Sequence, residues 1–301
     1  MYVTPSEPQS IGGVIDDAIR LYRHSFSRCW IFALVPAVAF GAWQIVMAGR
    51  IPGYGLQYSP AAQIALARQH PLSGAMFLYI VIVSLLSFSF QGAIAAQQGA
   101  VARHDDSFTL GQAFATAFLR LPTLILSVIL LYLAMAGAVV AVMLVVAMPI
   151  GFLLGALHMM VRAVAAGGSA LLVFIAIIAL IGRLVLFMPA IYIDRQGPLA
   201  SLRLSWRLTK GHFWRATGIL TTAMIMMMVL YFALALLSYV GGYLTHYGPV
   251  DRFVIAPLLL MMIYMVIYPL AAALWVAMYN DFKLRREGGD LAARVGALNS
   301  A

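Results

Sequence analysis

The sequence is poor in charge. Charged side chains make up 10% of its 301 residues, whereas hydrophobic ones make up 63%. A soluble domain carries roughly 25% charged residues, so this composition excludes an ordinary soluble protein. Several apolar runs reach about 20 residues, which exceeds the ~18 that indicate a transmembrane helix. We therefore predict an all-α polytopic membrane protein with no segment left for a soluble catalytic domain.

Cysteine and metal-binding patterns are equally scarce. Cys29 is the one cysteine in the chain, which excludes an intramolecular disulfide and argues against a cysteine-ligated cluster. The six histidines lack the spacing of a zinc site, and no nucleotide-binding or hydrolase motif is present. The methionine-rich stretches 224–228 and 261–265 could carry Cu(I), but methionine is more often adaptable packing material. We predict that the protein is not an enzyme and that it has neither a cofactor nor a metal site.

Six apolar spans are predicted. They cover residues 29–47, 73–96, 122–157, 170–193, 216–239 and 253–279. The third run, of 36 residues, is longer than the hydrocarbon core needs at about 1.5 Å per residue, so we expect it to break near residues 149–151. The loop over 49–72 is expected to be exposed, and the charged tail is expected to be partly helical.

Amphipathic stretches before the first, third and fifth spans predict helices that lie in the headgroup layer. Tyr22, Phe114 and Trp206 are spaced 92 residues apart within them. This period predicts one integral membrane domain (1–301) with six transmembrane helices in three pseudo-repeats, each consisting of one surface helix and two spans. The repeat units cover residues 10–105, 106–196 and 197–301.

Polar residues at the starts of these stretches are predicted to cap the helices or to balance nearby charges. Ser10 is expected to cap the first helix, and Asp106 or Ser107 the second. The neighbouring carboxylates Asp16 and Asp17 are expected to lie on a solvated face, where they would balance nearby arginines.

Basic residues are distributed unevenly between the two sides of the predicted spans. Fourteen lysines and arginines lie on the side of the N-terminus and four on the other. Because cytoplasmic segments carry the excess of basic residues, both termini are predicted to be cytoplasmic. The net charge of +9 is explained by this bias, without nucleic acid as a partner.

The stretch 183–215 and the C-terminal tail carry recognisable motifs. A proline leaves an apolar span, an acidic residue and a turn follow, and a basic helix leads into the next span. The motif residues are Pro189, Asp194, Leu199, Ala200, Ser205, Leu208, Thr209, Gly211, Phe213 and Trp214, with Tyr279, Asp281, Arg286, Glu287 and Gly288 in the tail. They resemble the membrane-domain family of glycerophosphoryl diester phosphodiesterases and the related YciC-like integral membrane proteins. The resemblance implies a six-span module of the bacterial cytoplasmic (inner) membrane, without the catalytic barrel that some relatives carry.

Arg183 is the one formal charge deep inside an apolar run. Such a cation costs several kcal/mol unless it is paired or hydrated, so it marks a functional site by default. Its partner could be a backbone carbonyl, a polar side chain such as Gln91 or Ser87, water or a lipid phosphate. The alternative is a structural role in which the side chain extends to the inner headgroups.

A basic stripe follows Arg183 in the chain. Arg203, Arg207 and Lys210 lie at i, i+4 and i+7 of a surface helix, where each charge adds about 1 kcal/mol of attraction to anionic lipid. Membrane anchoring is the simpler role, and phosphate recognition is the more specific one. Asp194 is expected to cap the same helix or to pair with an arginine. The predicted ligand- or lipid-binding residues are Arg183, Asp194, Arg203, Arg207, Lys210 and Arg215.

These residues favour a non-enzymatic membrane protein that binds or translocates a lipid or other amphiphilic small molecule at the inner leaflet. The alternative is a structural or accessory subunit of a membrane protein complex. A membrane-embedded lipid enzyme would need several polar groups converging at one depth, and the sequence offers one arginine with scattered serine, threonine and glutamine. The predicted partners are anionic lipid headgroups on the cytoplasmic side, with a membrane protein or a second copy of the chain as further candidates.

Overall fold

Helices account for all regular structure in the computed structural model, which describes residues 2–5, 7–50, 73–105, 107–147, 159–244 and 251–299. The α-helices are α1 (Ile11–Arg50), α2 (Gly74–Ala102), α3 (Leu110–Leu119), α4 (Leu121–Val142), α5 (Met159–Leu184), α6 (Phe187–Tyr192), α7 (Pro198–Thr209), α8 (Phe213–Leu244) and α9 (Ala256–Asn299), with π-helical turns over Met143–Ala147 and Asp251–Ile255. Six segments in these ranges are long and apolar enough to cross a membrane: Ile11–Met47, Gly74–Ala102, Leu121–Val145, Ala170–Tyr192, Phe213–Ala233 and Phe253–Arg286. The predicted all-α, multi-pass membrane architecture is confirmed.

Helix α1 is longer than the sequence predicts. The predicted surface helix and the first span form one helix, Ile11–Arg50, with Pro36 inside it. Ser10 Oγ accepts a hydrogen bond from the Gly13 N–H at 3.0 Å, which confirms the predicted cap. No glycine or proline lies between the amphipathic part and the span, so nothing interrupts the helical hydrogen bonds there. The predicted first surface helix is therefore continuous with its span.

The second surface helix is α3, and its cap differs from the predicted one. Thr109 is the N-cap: its hydroxyl accepts from the Gln112 N–H, and the Gln112 side chain accepts from the Thr109 N–H. This reciprocal pair is a capping box, which satisfies two helix-start donors at once. Ser107 instead donates to the Asp105 carboxylate, so its predicted capping role is wrong. Asp106 lies outside the described residues.

Gly211 determines the backbone geometry of the link between α7 and α8. Lys210, Gly211 and His212 separate the two helices, and Gly211 has a φ of 86°. Glycine adopts this left-handed conformation without a Cβ penalty. The third surface helix is therefore separate from its span, unlike the first.

Two predictions on loops lie outside the described residues. The expected break near 149–151 falls within 148–158, and most of the expected exposed loop falls within 51–72. The tail prediction is confirmed, since α9 continues to Asn299.

Contacts divide the chain into two units: residues 1–121 with 221–301, and residues 122–220. In unit one, α1, α2 and α9 pack on one another, and α3 packs on α2. Gln98 on α2 donates to Ser25 Oγ at 3.2 Å and to the Pro269 carbonyl at 2.9 Å. Gln91 donates to the Tyr268 carbonyl at 2.9 Å. Buried amides thus link the three helices where apolar packing alone would leave their relative register weakly specified.

Unit two contains α5, α6 and α7, with α7 packed on both of the others. The span predicted over 170–193 is interrupted at Val185 and Leu186, between α5 and α6. Pro189, one turn further on, lacks the N–H of a continuous helix and its ring clashes with the carbonyl four residues before it. This proline explains the interruption.

The repeat remains a prediction. The boundaries of the two units, near residues 121 and 221, do not coincide with the predicted repeat boundaries. Two sets of positions spaced by 92 residues are nevertheless 0% exposed in all three copies: Leu21, Ala113 and Ser205, and Ser25, Ala117 and Thr209. The three amphipathic helices therefore bury the same face in the predicted register.

Candidate functional site

The break between α5 and α6 is bridged by side chains from α7. Ser205 Oγ donates to the Arg183 carbonyl at 2.9 Å and accepts from the Leu186 N–H at 3.1 Å. Thr209 Oγ1 also lies within hydrogen-bond distance of the Arg183 carbonyl, at 3.1 Å, and it is 2.9 Å from the Ser205 carbonyl of its own helix. Both hydroxyl side chains are fully buried. Backbone groups that the break frees are thus satisfied by two residues one turn apart on α7, as buried polar groups require.

The Arg183 side chain packs against the same helix. Its Nη1 donates to the Thr209 carbonyl at 2.8 Å, and its Cζ lies 5.4 Å from the Trp206 ring centroid and 5.5 Å from that of Phe213. The carbonyls that end a helix carry partial negative charge, and aromatic faces attract a cation at this distance. Of the partners that the sequence left open for Arg183, the structure places it on a backbone carbonyl.

The basic stripe lies on the exposed side of α7. Arg203, Arg207 and Lys210 are exposed, whereas Ser201, Leu202, Ser205, Leu208 and Thr209 are buried. Arg203 and Arg207 line a groove of about 300 Å³, together with Gln196, Ala200 and Leu204. Two arginines one turn apart in one groove supply the positive charge and the N–H donors that a phosphate or carboxylate binds.

Several large apolar side chains that neighbour the groove residues in sequence are exposed. Leu199 and Trp206 on α7 are each about half exposed, and Trp214 at the start of α8 is 83% exposed. Indole rings accumulate at the membrane–water boundary because they have an apolar body and a polar N–H. The exposed side of α7 and the start of α8 therefore have the composition of an interfacial surface.

Asp194 and Arg215 flank the groove in sequence without lining it. Helix α7 begins at Pro198 with Gly197 as its N-cap and no side-chain hydrogen bond at that cap, so the predicted capping role of Asp194 is wrong. The Asp194 carbonyl accepts a hydrogen bond from Gln196 Nε2 at 3.4 Å. Arg215 is half-buried in the first turn of α8.

Sequence reasoning missed two sets of polar residues. The sequence motif that contains Ser205 and Thr209 does not by itself indicate their role. The signal that points to it is a pair of small hydroxyls at i and i+4 on the apolar face of an amphipathic helix. Asp17 was expected on a solvated face, yet it is buried and accepts a hydrogen bond from Tyr2 Oη at 2.9 Å. That prediction is wrong because Tyr2, fifteen residues away in sequence, covers the carboxylate.

Comparison with known proteins does not assign the chain. Among the described residues no group of three or more His, Cys, Asp and Glu side chains is placed to hold a metal ion. No family model, no curated protein and no solved structure matches the chain. The resemblance to the glycerophosphoryl diester phosphodiesterase membrane domain therefore remains a prediction from short motifs.

Proposed function

We propose that this is a non-enzymatic membrane protein that binds or translocates an anionic lipid or lipid-like amphiphile, whose headgroup lies in the groove of α7. The observation that carries the proposal is the pairing of Arg203 and Arg207 in a groove of about 300 Å³. Guanidinium groups bind phosphate through two parallel hydrogen bonds, which adds geometric specificity to charge attraction.

Arg183 has a supporting role in this proposal. Its guanidinium is engaged by the Thr209 carbonyl and by two aromatic rings, and it does not line the groove. It thereby holds α7, and so the groove, on the end of α5.

The surroundings of the groove support an amphiphile over a free anion. A headgroup in the groove would place acyl chains against exposed apolar side chains such as Leu199 and Trp206. The excess of basic residues on one side favours the cytoplasmic leaflet for the groove, and the resemblance favours a bacterial inner membrane for the protein.

The test is native mass spectrometry of the protein extracted in a mild detergent, comparing two double variants. Arg203→Gln with Arg207→Gln removes two charges from the groove, whereas Lys210→Gln with Arg215→Gln removes two charges that do not line it. A hydrogen bond to a charged group contributes about 1.5–3 kcal/mol, so we expect the first pair to weaken binding of the co-purifying lipid by at least about 100-fold. The second pair should retain most of the binding, because neither residue lines the groove.

Equal losses in the two double variants would mean that the charges only anchor the protein to the membrane, and this would contradict the proposal. Co-purification of a protein subunit with no lipid would favour the accessory-subunit function. Arg183→Gln is expected to lower thermal stability while the folded fraction still binds lipid.

A further inference from the structure

A small cavity with both polar and apolar lining residues lies in unit one, where the N-terminal segment meets α1 and α9. Its volume is about 10 Å³, and its polar lining side chains are Gln9, Asp17, Asn280 and Asp281. A volume of about one probe sphere holds a single water-sized occupant. The remaining lining residues are apolar, apart from the backbone.

Both carboxylates of the cavity are withdrawn from solvent. Asp17 and Asp281 are each only 3% exposed. Asp17 Oδ2 accepts from Tyr2 Oη at 2.9 Å, but Asp17 Oδ1 has no hydrogen-bond partner in the described part of the chain. A buried carboxylate oxygen without a partner is costly, so such a group is expected to pair with a cation or to lose its charge.

The charges around the cavity do not balance. Asp281 has a counter-ion, since Arg285 Nε lies 3.1 Å from its Oδ2. The group bonded to Asp17 is a phenol, and burial together with the Asp17 carboxylate raises the pKa of Tyr2 above its usual range, so Tyr2 stays a neutral donor. Arg20 acts on Asp17 electrostatically, but its side chain is exposed and therefore screened. An ionised Asp17 therefore has no buried counter-ion in the described part of the chain.

The cavity lies at a junction that ties the ends of the chain together. The Gln9 N–H donates to Asp281 Oδ1 at 2.8 Å, and Arg285 Nη2 donates to the Gln9 carbonyl at 2.6 Å. Thr4 Oγ1 also donates to the Ala102 carbonyl at the end of α2. An occupant that neutralises Asp17 would strengthen this junction directly.

We propose that the cavity binds one small monovalent cation such as sodium, and that Asp17 Oδ1 is its principal ligand. Carboxylate and amide oxygens are hard ligands suited to such an ion. The single unbalanced charge matches a monovalent ion, and the volume is too small for a divalent ion that keeps several of its waters. The site is separate from the α7 groove and does not depend on lipid binding.

The experiment is thermal unfolding of the purified full chain in detergent, in sodium chloride against N-methylglucamine chloride at constant ionic strength. We expect sodium to raise the unfolding midpoint by about 2–4 °C in the wild type, and the rise to saturate with concentration. Asp17→Asn should abolish the sodium effect. Asp16→Asn, which changes the adjacent exposed carboxylate, should leave it intact.

Equal midpoints in both salts would overturn the proposal, and so would a sodium effect that persists in Asp17→Asn. A midpoint that depends on pH but not on sodium, and loses this dependence in Asp17→Asn, would show that Asp17 holds a proton instead of a cation. If Asp17→Asn fails to fold, the wild-type comparison of sodium with N-methylglucamine still decides, because that comparison needs no variant.

Discussion

Ser205 makes hydrogen bonds on both sides of one helix break, as donor to Arg183 and as acceptor from Leu186. Replacing it with alanine removes both bonds at once. The Arg183 carbonyl keeps its bond from Thr209, but the Leu186 N–H has then lost its acceptor in a buried position. Ser205 therefore stabilises the fold mainly as the acceptor for the Leu186 N–H, and less through the hydrogen bond that its hydroxyl donates to Arg183.

We predict that Ser205→Ala lowers the free energy of unfolding by about 1–3 kcal/mol, the cost of a buried unsatisfied polar group. The measurement is thermal or denaturant unfolding in detergent. Ser27→Ala is the control, since Ser27 is exposed on α1. Equal stability of Ser205→Ala and the wild type would mean that water replaces the hydroxyl at the break.

Helices α5 and α8 approach each other closely at Gly182 in unit two, and this limits the size of the side chain at that position. A Cβ at this position would lie 3.2 Å from a ring carbon of Phe213 and 3.2 Å from Thr217 Oγ1 on α8. These contacts are tighter than ordinary van der Waals separation, and small residues allow such packing between membrane helices.

We predict that Gly182→Leu destabilises the protein by about 1–3 kcal/mol through overpacking, measured by thermal unfolding. Gly137→Leu on α4 is the matched control, because nothing lies within 4 Å of a Cβ built there. The same loss of stability in both variants would show that leucine acts through something other than the α5–α8 contact.

The sequence predicts secondary structure best where only one backbone conformation is physically possible. An apolar run of about 20 residues in a bilayer must be helical, because its backbone groups have no water to bond, and this places the spans correctly. The wrong prediction of the N-cap of α3 has a different cause. Both Ser107 and Thr109 are good caps, and the discriminating signal was Gln112, three residues after Thr109, which completes the capping box.

The site is only partly predictable. The spacing of Arg203 and Arg207 places both on one face of a helix, which the structure bears out. The sequence does not determine the partner of Arg183, because that partner depends on which face of α7 meets the break, and the break itself depends on Pro189. Asp17 was misplaced because its burial depends on Tyr2, at the far end of the N-terminal segment, and no local pattern reports that contact.

At the scale of the whole molecule, the orientation of the chain remains a prediction from the distribution of basic residues. We expect Glu7→Cys and Asn299→Cys to react with thiol reagents from the cytoplasmic side and Gln63→Cys from the opposite side. The background is Cys29→Ser, which removes the native, fully buried thiol. Labelling of position 63 from the cytoplasm would overturn the topology, whereas labelling of positions 7 and 299 from opposite sides would rule out an even number of spans.

Unit one is completed by α9, which is made long after α1 and α2. Gln98 on α2 bonds to the Pro269 carbonyl 171 residues later, and Gln9 bonds to Asp281 at a separation of 272. At roughly 5–20 residues per second of synthesis, the amide of Gln98 waits about 10–30 s before its partner on α9 exists. During that time a polar face of α2 is without its final partner, whereas unit two is contiguous in the chain and needs nothing made after residue 220. The packed face of α1 and α2 therefore acquires its contacts with α9 only after residues 269–281 have been made.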